Sequence, residues 1–326
     1  MESPTPSPSS SPPARNGQRR VRRWPDQAFF GLVIAVALSI ILLAFAIVAI
    51  LVYNAEQSFR VFGWGFFYGA TWSESGQIFG ALPFVVGTLL TSAIALLIAL
   101  PLALGSAIFI TTAAPRWLRA PIGTAIELLA AIPSVIYGFW GIYVVVPFMH
   151  TTVNPWLQKN LGWTGAFSGT QTGFGILTAS IILAIMIVPT ISAISRDTLM
   201  AVPSAQKEAA LSLGATNWET TRVAMIPYAR SGIVGGVILG LGRAVGETMA
   251  VVMVIGNSDK LPFSIIGNGS TISSLIATEL LSNSGPLAIS AILECGLVLM
   301  LVALAVNVVA RLLVWRIAGA GRGTVQ

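Results

Sequence analysis

The chain has 326 residues, 55% of them hydrophobic and only 9% charged, with a net charge of +6. That composition excludes an ordinary soluble domain and points to a protein whose main solvent is the lipid bilayer. With one cysteine, Cys295, and one histidine, His150, a disulfide framework, a cysteine-based metal site and a metal centre built on several histidines are excluded too, and no cofactor is expected.

Residues 1–23 are rich in Pro and Ser and then basic, with Arg15, Arg19, Arg20, Arg22 and Arg23. Such a segment cannot bury a core, so residues 1–27 are expected to form a disordered tail ahead of the first span. Arginines placed directly before an apolar run are the cytoplasmic flank expected beside anionic lipid. The run from Ala28 to Val52 is too long for the apolar region of a cleavable signal and lacks a small-residue cleavage site, which makes it a retained anchor.

Six apolar runs, near 28–52, 84–112, 122–148, 174–195, 231–256 and 287–314, are long enough to cross roughly 30 Å of hydrocarbon. When the loops are assigned alternately to the two sides, fourteen of the eighteen Lys and Arg residues share one side with both termini. Arg60, Lys159 and Lys260 fall on the other side, and Arg243 falls inside the membrane. The positive-inside rule therefore predicts an all-α membrane protein of six transmembrane helices, with both termini and the 196–230 loop cytoplasmic. The basic balance is orientation chemistry, so no nucleic-acid partner is expected; membrane lipid is the expected surrounding.

After the first span, residues 53–80 are crowded with aromatics: Phe59, Phe62, Trp64, Phe66, Phe67, Tyr68 and Trp72. Rings among polar neighbours predict an interfacial segment on the outer surface. From residue 81 to 316 the pattern is a single helical core, followed by a short cytoplasmic tail at 317–326. Pro83, Pro101, Pro133, Pro147 and Pro189 punctuate spans two to four, where neighbouring helices must satisfy the freed carbonyls. Within the third run, Ile132-Pro133-Ser134-Val135-Ile136-Tyr137-Gly138 offers a hydroxyl and a phenol in an otherwise apolar helix, suited either to a pathway or to packing. Glu127 and Glu294 are expected to be local hydrogen-bonding partners. The outer loops near 149–173 and 257–286 are polar, and the second holds a short amphipathic piece at Thr271 to Leu281.

Between spans four and five, residues 203–227 read as two short helices. Pro203 and Ser204 open the first, and Gly214 closes it with a positive φ. Thr216 and Glu219 have the spacing of a capping box for the second, and Pro227 is expected to limit it. A helix–turn–helix between spans is either a packing loop or a handle for a soluble partner. Span five then presents Gly232, Gly236 and Gly240 at four-residue intervals, a spacing that lets helices approach closely or leaves backbone exposed along a cavity. Arg243 and Glu247, four apart, are expected on one helix face near mid-membrane. A central arginine costs about 2.5–3.5 kcal/mol to insert, so it must face protein or water. The two charges form either an ion pair that fixes packing or an anion site whose affinity the carboxylate moderates.

Three motifs carry a family resemblance. Glu208-Ala209-Ala210, Gly214 and Pro227 resemble the EAA signature of ABC-importer permeases, with Ile226 where Leu is usual and Ala224 where Ile is common. The run from Ile132 to Gly138 is similar to the IPS-x-x-YG sequence of phosphate-importer permeases. The sequence Gly242-Arg243-Ala244-Val245-Gly246-Glu247-Thr248-Met249-Ala250-Val251, followed by Val254-Ile255-Gly256-Asn257, resembles the C-subunit permeases of phosphate-specific ABC importers. The resemblance implies a type I ABC importer permease fold and a pathway for phosphate that includes Arg243 and Glu247, with Ser134 and Tyr137 as further candidates. It also implies a coupling helix at Glu208, Ala209, Ala210 and Gly214 that docks into an ATPase. The implied partners are a second homologous permease subunit, two ATPase subunits and an external phosphate-binding protein. The chain has no G-x4-G-K-[ST] sequence of its own, so it is expected to be a transport subunit and not an enzyme. A permease for sulfate or molybdate, or a secondary anion transporter, is the alternative expectation.

Overall fold

The computed structural model describes residues 24–169, 172–280, 282 and 285–319, so residues 1–23 of the tail expected at 1–27 and residues 320–326 of the tail expected at 317–326 lie outside the described residues, while residues 24–27 and 317–319 are helical. The chain divides into two compact units after Ala49. The first is the leading part of α1 (Trp24–Phe62), whose apolar side chains from Ala28 onward are largely exposed, Phe29, Leu32, Leu42 and Phe45 among them. A bare apolar rod of that length is stable only where lipid or another apolar surface surrounds it.

The rest of α1, from Ile50, belongs to the second unit and runs ten residues past the expected end of the span at Val52. Polar groups account for the extension. The Ser290 hydroxyl donates to the Asn54 carbonyl at 2.8 Å and accepts from the Ser58 amide at 3.0 Å, tying this segment to the last helix. There follow α2 (Gly65–Tyr68), a tight bridge between Ser73 and Ile78, and α3 (Leu82–Ile108) with a π turn at Phe109–Ala113. Next come α4 (Arg116–Ala131), α5 (Ser134–Trp140), α6 (Val146–Phe148) and α7 (Asn154–Leu161), with π turns at Gly141–Val145 and Met149–Val153. The remaining elements are α8 (Ile176–Met200), α9 (Ser204–Ser212), α10 (Asn217–Thr220), α11 (Ile226–Gly246), α12 (Met249–Val254), α13 (Ile272–Glu279) and α14 (Pro286–Gly319).

Among the described residues, six helical stretches are long and apolar enough to cross a membrane: 28–62, 82–113, 134–164, 176–200, 217–246 and 286–312. Their number matches the hydropathy pattern, but two of the expected spans are corrected. The run at 122–148 is not one helix. Ile132 is held extended (φ −68°, ψ 127°) by the proline after it, so α4 stops and the third span begins at Ser134. The run at 231–256 breaks at Glu247, as described below. A third expectation also fails, because Pro227 does not limit the helix that Thr216 caps. A π turn at Thr221–Met225 leads straight into α11 with Pro227 in its first turn, where a missing N–H does no harm.

At the centre of the second unit is α8, which packs against both α3 and α11. Ala95, Ala99 and Ala103 repeat every four residues along α3 and are buried in the same core as Ile182, Leu183, Met186, Ile187 and Ile191 of α8. A second core lies at the loop-rich end, and it corrects the reading of residues 53–80 as a surface segment. Phe66 and Trp72 are buried with Phe79, Phe84, Ile272 and Ile292, and Trp72 meets Phe79 and Phe84 edge-on at 4.8 and 5.2 Å. Trp64 and Tyr68 of that stretch remain exposed. The same end is knitted by main-chain bonds from Gly175 to Val254, Ile176 to Gly267, Leu177 to Ile265 and Ile265 to Ala166.

Candidate functional site

Gly232, Gly236 and Gly240 of α11 are spent on contact with α8. A methyl group added at Gly232 would strike Thr198, one at Gly236 would press on Ile194, and one at Gly240 would lie 2.8 Å from Ile191. This row fixes the two helices at close range and sets what the next turn of α11 meets. It meets Thr190: Arg243 Nη1 donates to the Thr190 hydroxyl at 3.3 Å. Gly246, one turn further on, has nothing around it.

Glu247 does not share a helix face with Arg243. It terminates α11 in an extended conformation (φ −70°, ψ 128°), and α12 starts two residues later. Tertiary bonds hold the break open: the Ser273 hydroxyl donates to the Glu247 carbonyl at 3.1 Å, and the Ala250 amide donates to Glu247 Oε1 at 3.3 Å. The two charges are accommodated separately. Arg243 stands in the last turn of α11, where the carbonyl end of the helix favours a cation, and Glu247 caps the amide end of α12. Among the described residues no Arg243–Glu247 ion pair is formed; the ion pairs are Arg60–Glu56, Arg196–Glu127 and Arg196–Asp197. A span broken into two helices is a geometry that transporters use to handle ions.

Of the other pathway candidates, Tyr137 is buried and its hydroxyl donates to the Leu129 carbonyl at 2.8 Å, bridging the break between α4 and α5. Ser134 occupies the first turn of α5. The neighbouring glycines serve packing, since Gly138 abuts Ala250 and Met253 of α12, and Gly141 abuts Ile182 and Val254. Ser134 and Tyr137 are thereby carried on a helix packed directly against α12, just beyond Glu247. Glu127 and Arg196 pair at 2.9 Å, and the Arg196 guanidinium lies over the α4 backbone at Gly123. Glu294, expected to be a hydrogen-bonding partner, is buried and faces the Ser58 hydroxyl, with no hydrogen bond of ordinary length to either carboxyl oxygen among the described residues.

The 203–227 loop forms as its punctuation indicates over most of its length. Helix α9 follows Pro203 and buries none of its side chains, leaving Glu208 and Ala209 exposed. Gly214 turns the chain at φ +86°. Thr216 and Glu219 close a reciprocal capping box, with the Thr216 amide donating to Glu219 Oε2 at 2.8 Å and the Glu219 amide to Thr216 Oγ1 at 3.3 Å. Around it Leu213 and Trp218 are 89% and 62% exposed, an apolar surface on a charged loop that suits a protein partner. Neither residue, nor Thr190, stood out in the sequence; the only signal for Thr190 was a hydroxyl directly after Pro189 in an apolar run.

Comparison with known proteins places this geometry in context. Residues 99–319 match the family model described as binding-protein-dependent transport system inner membrane component. The chain is 46% identical over 285 residues, 86% of its length and 89% of the relative's, to the phosphate transport system permease protein PstC of Pasteurella multocida (strain Pm70). It is 44% identical over 306 residues, 92% of its length and 94% of the relative's, to the protein of the same description from Xylella fastidiosa (strain Temecula1 / ATCC 700964). Among solved structures, a chain of the bacterial alginate ABC transporter, in complex with an alginate pentasaccharide-bound periplasmic protein, superposes with a TM-score of 0.61 at 19% identity. That match covers 91% of this chain and 98% of the other. A chain of the MetNI methionine ABC transporter in an inward-facing conformation matches with a TM-score of 0.51 at 17% identity, covering 74% and 98%. These two likenesses concern the fold.

Proposed function

We propose that this chain, which belongs to the family of binding-protein-dependent transport system inner membrane components, is the transmembrane permease subunit of an ATP-driven importer that carries inorganic phosphate into the cytoplasm. The observation that carries the proposal is the 44–46% identity to phosphate permeases over nearly the whole chain, in which the broken span with Arg243 and Glu247 is embedded. The chain is a transport subunit; ATP hydrolysis belongs to partner ATPase subunits, and a substrate-binding protein delivers the cargo. A second, homologous permease subunit completes the membrane part.

The distribution of Lys and Arg supports an inner-membrane orientation with both termini and the α9–α10 loop in the cytoplasm. Importing an anion against an inside-negative potential costs roughly 2.3 kcal/mol per charge per 100 mV, so the energy must come from the ATPase. Glu208, Ala209, Ala210 and Gly214, with exposed Leu213 and Trp218, form the surface that the ATPase grips. This loop joins the end of α8 to the continuous helix through α10 and α11, so a pull on it moves the two helices that hold Thr190 and Arg243. In the pathway, the guanidinium supplies the attraction for a dianion, Glu247 keeps the binding weak enough for release, and Ser134 and Tyr137 line the adjoining wall.

Labelled-phosphate uptake in cells lacking their own importer tests the proposal. Wild type and Arg243→Ala would be compared, with sulfate and molybdate as competitors and assembly checked by ATPase co-purification. Uptake that resists both competitors and disappears in the assembled variant is the expected result. Normal transport by the variant removes Arg243 from the pathway, and competition by sulfate or molybdate reassigns the substrate while leaving the importer in place.

A further inference from the structure

We infer that Thr190 is a direct ligand of the transported anion, a second hydroxyl donor that acts together with Arg243; the inference rests on the pathway reading of Arg243 given above. Several hydroxyls elsewhere in the spans are occupied by their own helices. Thr88, Thr91, Ser92, Ser180 and Thr198 each donate to the main-chain oxygen four residues back. Such back-bonding is the ordinary fate of a hydroxyl in a membrane helix. Among the described residues Thr190 makes no bond of this kind; its oxygen accepts from Arg243 Nη1, and its own hydrogen has no acceptor.

The arrangement is suited to an oxyanion. A guanidinium carries five N–H donors, and among the described residues only Nη1 is engaged, by a neutral hydroxyl at 3.3 Å. An anion oxygen arriving beside Arg243 can take the remaining guanidinium donors and the Thr190 O–H together, without displacing a carboxylate. The two donors come from different helices, α8 and α11, held in register by Gly236 and Gly240 against Ile194 and Ile191. Thr190 lies ten residues from the end of α8, about 15 Å along the helix, which places the pair at mid-span. The bound anion would thus bridge the two helices that flank the coupling loop, and a relative shift between them would divide its ligands and release it.

The test uses the complete importer, with its second permease, ATPase and binding protein, reconstituted in liposomes. The readout is phosphate moved per ATP hydrolysed for wild type, Thr190→Val, Thr190→Ser, Thr190→Ala and Arg243→Ala. Loss of one hydrogen bond to a charged ligand is expected to lower the ratio about tenfold in Thr190→Val. Thr190→Ser should retain it, while stimulation of the ATPase by loaded binding protein persists in both. Thr190→Ala, too small to clash, repeats the first arm should the valine disturb assembly. Wild-type coupling in the valine or alanine variant, or a serine variant as deficient as valine, overturns the inference while the Arg243 reading stands. Normal coupling in Arg243→Ala overturns the Arg243 reading itself, and this inference with it.

Discussion

Arg196 and Arg243 lie on the neighbouring helices α8 and α11, and the two regions around them treat the same side chain in opposite ways. At the end of the bundle, Arg196 is shared between Glu127 at 2.9 Å and Asp197 at 3.2 Å, with its guanidinium laid over the α4 backbone. In mid-span, Arg243 has among the described residues a single hydroxyl at 3.3 Å, although it stands where an unpaired charge is hardest to keep. An arginine saturated with carboxylates holds helices together and has little left to offer a ligand. One whose charge is offset only by a helix end and a neutral hydroxyl keeps its donors for something that comes and goes.

The contrast can be broken by making Arg243 resemble Arg196. Thr190→Asp places a carboxylate beside the guanidinium, and the resulting pair should be stable and closed to anions. Phosphate uptake is expected to fall on the order of a hundredfold, since a desolvated charge pair is worth several kcal/mol to separate, while assembly with the ATPase is retained. Uptake near the wild-type rate would mean that the anion does not visit Arg243.

A smaller effect, on assembly, should follow from disturbing the register that brings the pair together. Gly232 packs directly on Thr198, so Gly232→Leu must push α11 away from α8. Overpacking of this kind costs about 1–3 kcal/mol, and it should appear as a lower detergent melting temperature and reduced yield of the assembled complex. Gly235→Ala, at a position with open space around it, is the control that should change neither. The opposite manipulation of the first arginine comes next in size. Glu127→Gln removes a partner that is itself more than half exposed, so the loss should be only about 1 kcal/mol in thermal stability. Transport per assembled complex should stay unchanged, which is what separates a structural arginine from a pathway one.

How far the sequence showed this contrast depends on the range over which each signal acts. The six spans were legible because hydropathy sums over some twenty residues, and Gly214 and the Thr216–Glu219 cap because they are local chemistry. The same summing hid the two breaks. Ile132 was bent by the proline beside it, a cue that the apolar run outweighed. Glu247 had no such cue, for its break is held by Ser273 from the first turn of α13 and by the Ala250 amide. The four-residue spacing of Arg243 and Glu247 therefore reads as one helix face, although the helix ends at Gly246. Pro227 misled in the other direction, because the π turn before it left the proline in the first turn of α11. Thr190 could not have been singled out, since its distinction is the guanidinium it meets, which another helix supplies.

A third way of holding a charge sharpens the comparison and gives the smallest expected effect. On the loop-rich end, burial raises the Asp259 carboxyl above the ordinary aspartate value, and the negative charge of Glu74 raises it further. Arg196 is stabilised by its neighbours and Arg243 is left available, whereas Asp259 is disfavoured as an ion where it stands. The folded chain then binds a proton at Asp259 more tightly than the unfolded chain does. The stability contributed is full below the ordinary aspartate value and is lost as pH rises through the raised one. Thermal unfolding of the detergent-solubilised protein should accordingly show a small decline in stability over that window. Asp259→Asn, which cannot ionise, should remove this part of the decline and leave the protein at least as stable as wild type near neutral pH. If the asparagine variant is instead the less stable of the two at neutral pH, the Asp259 carboxylate has a favourable partner that outweighs its burial, and this end of the molecule holds its charge as Arg196 does.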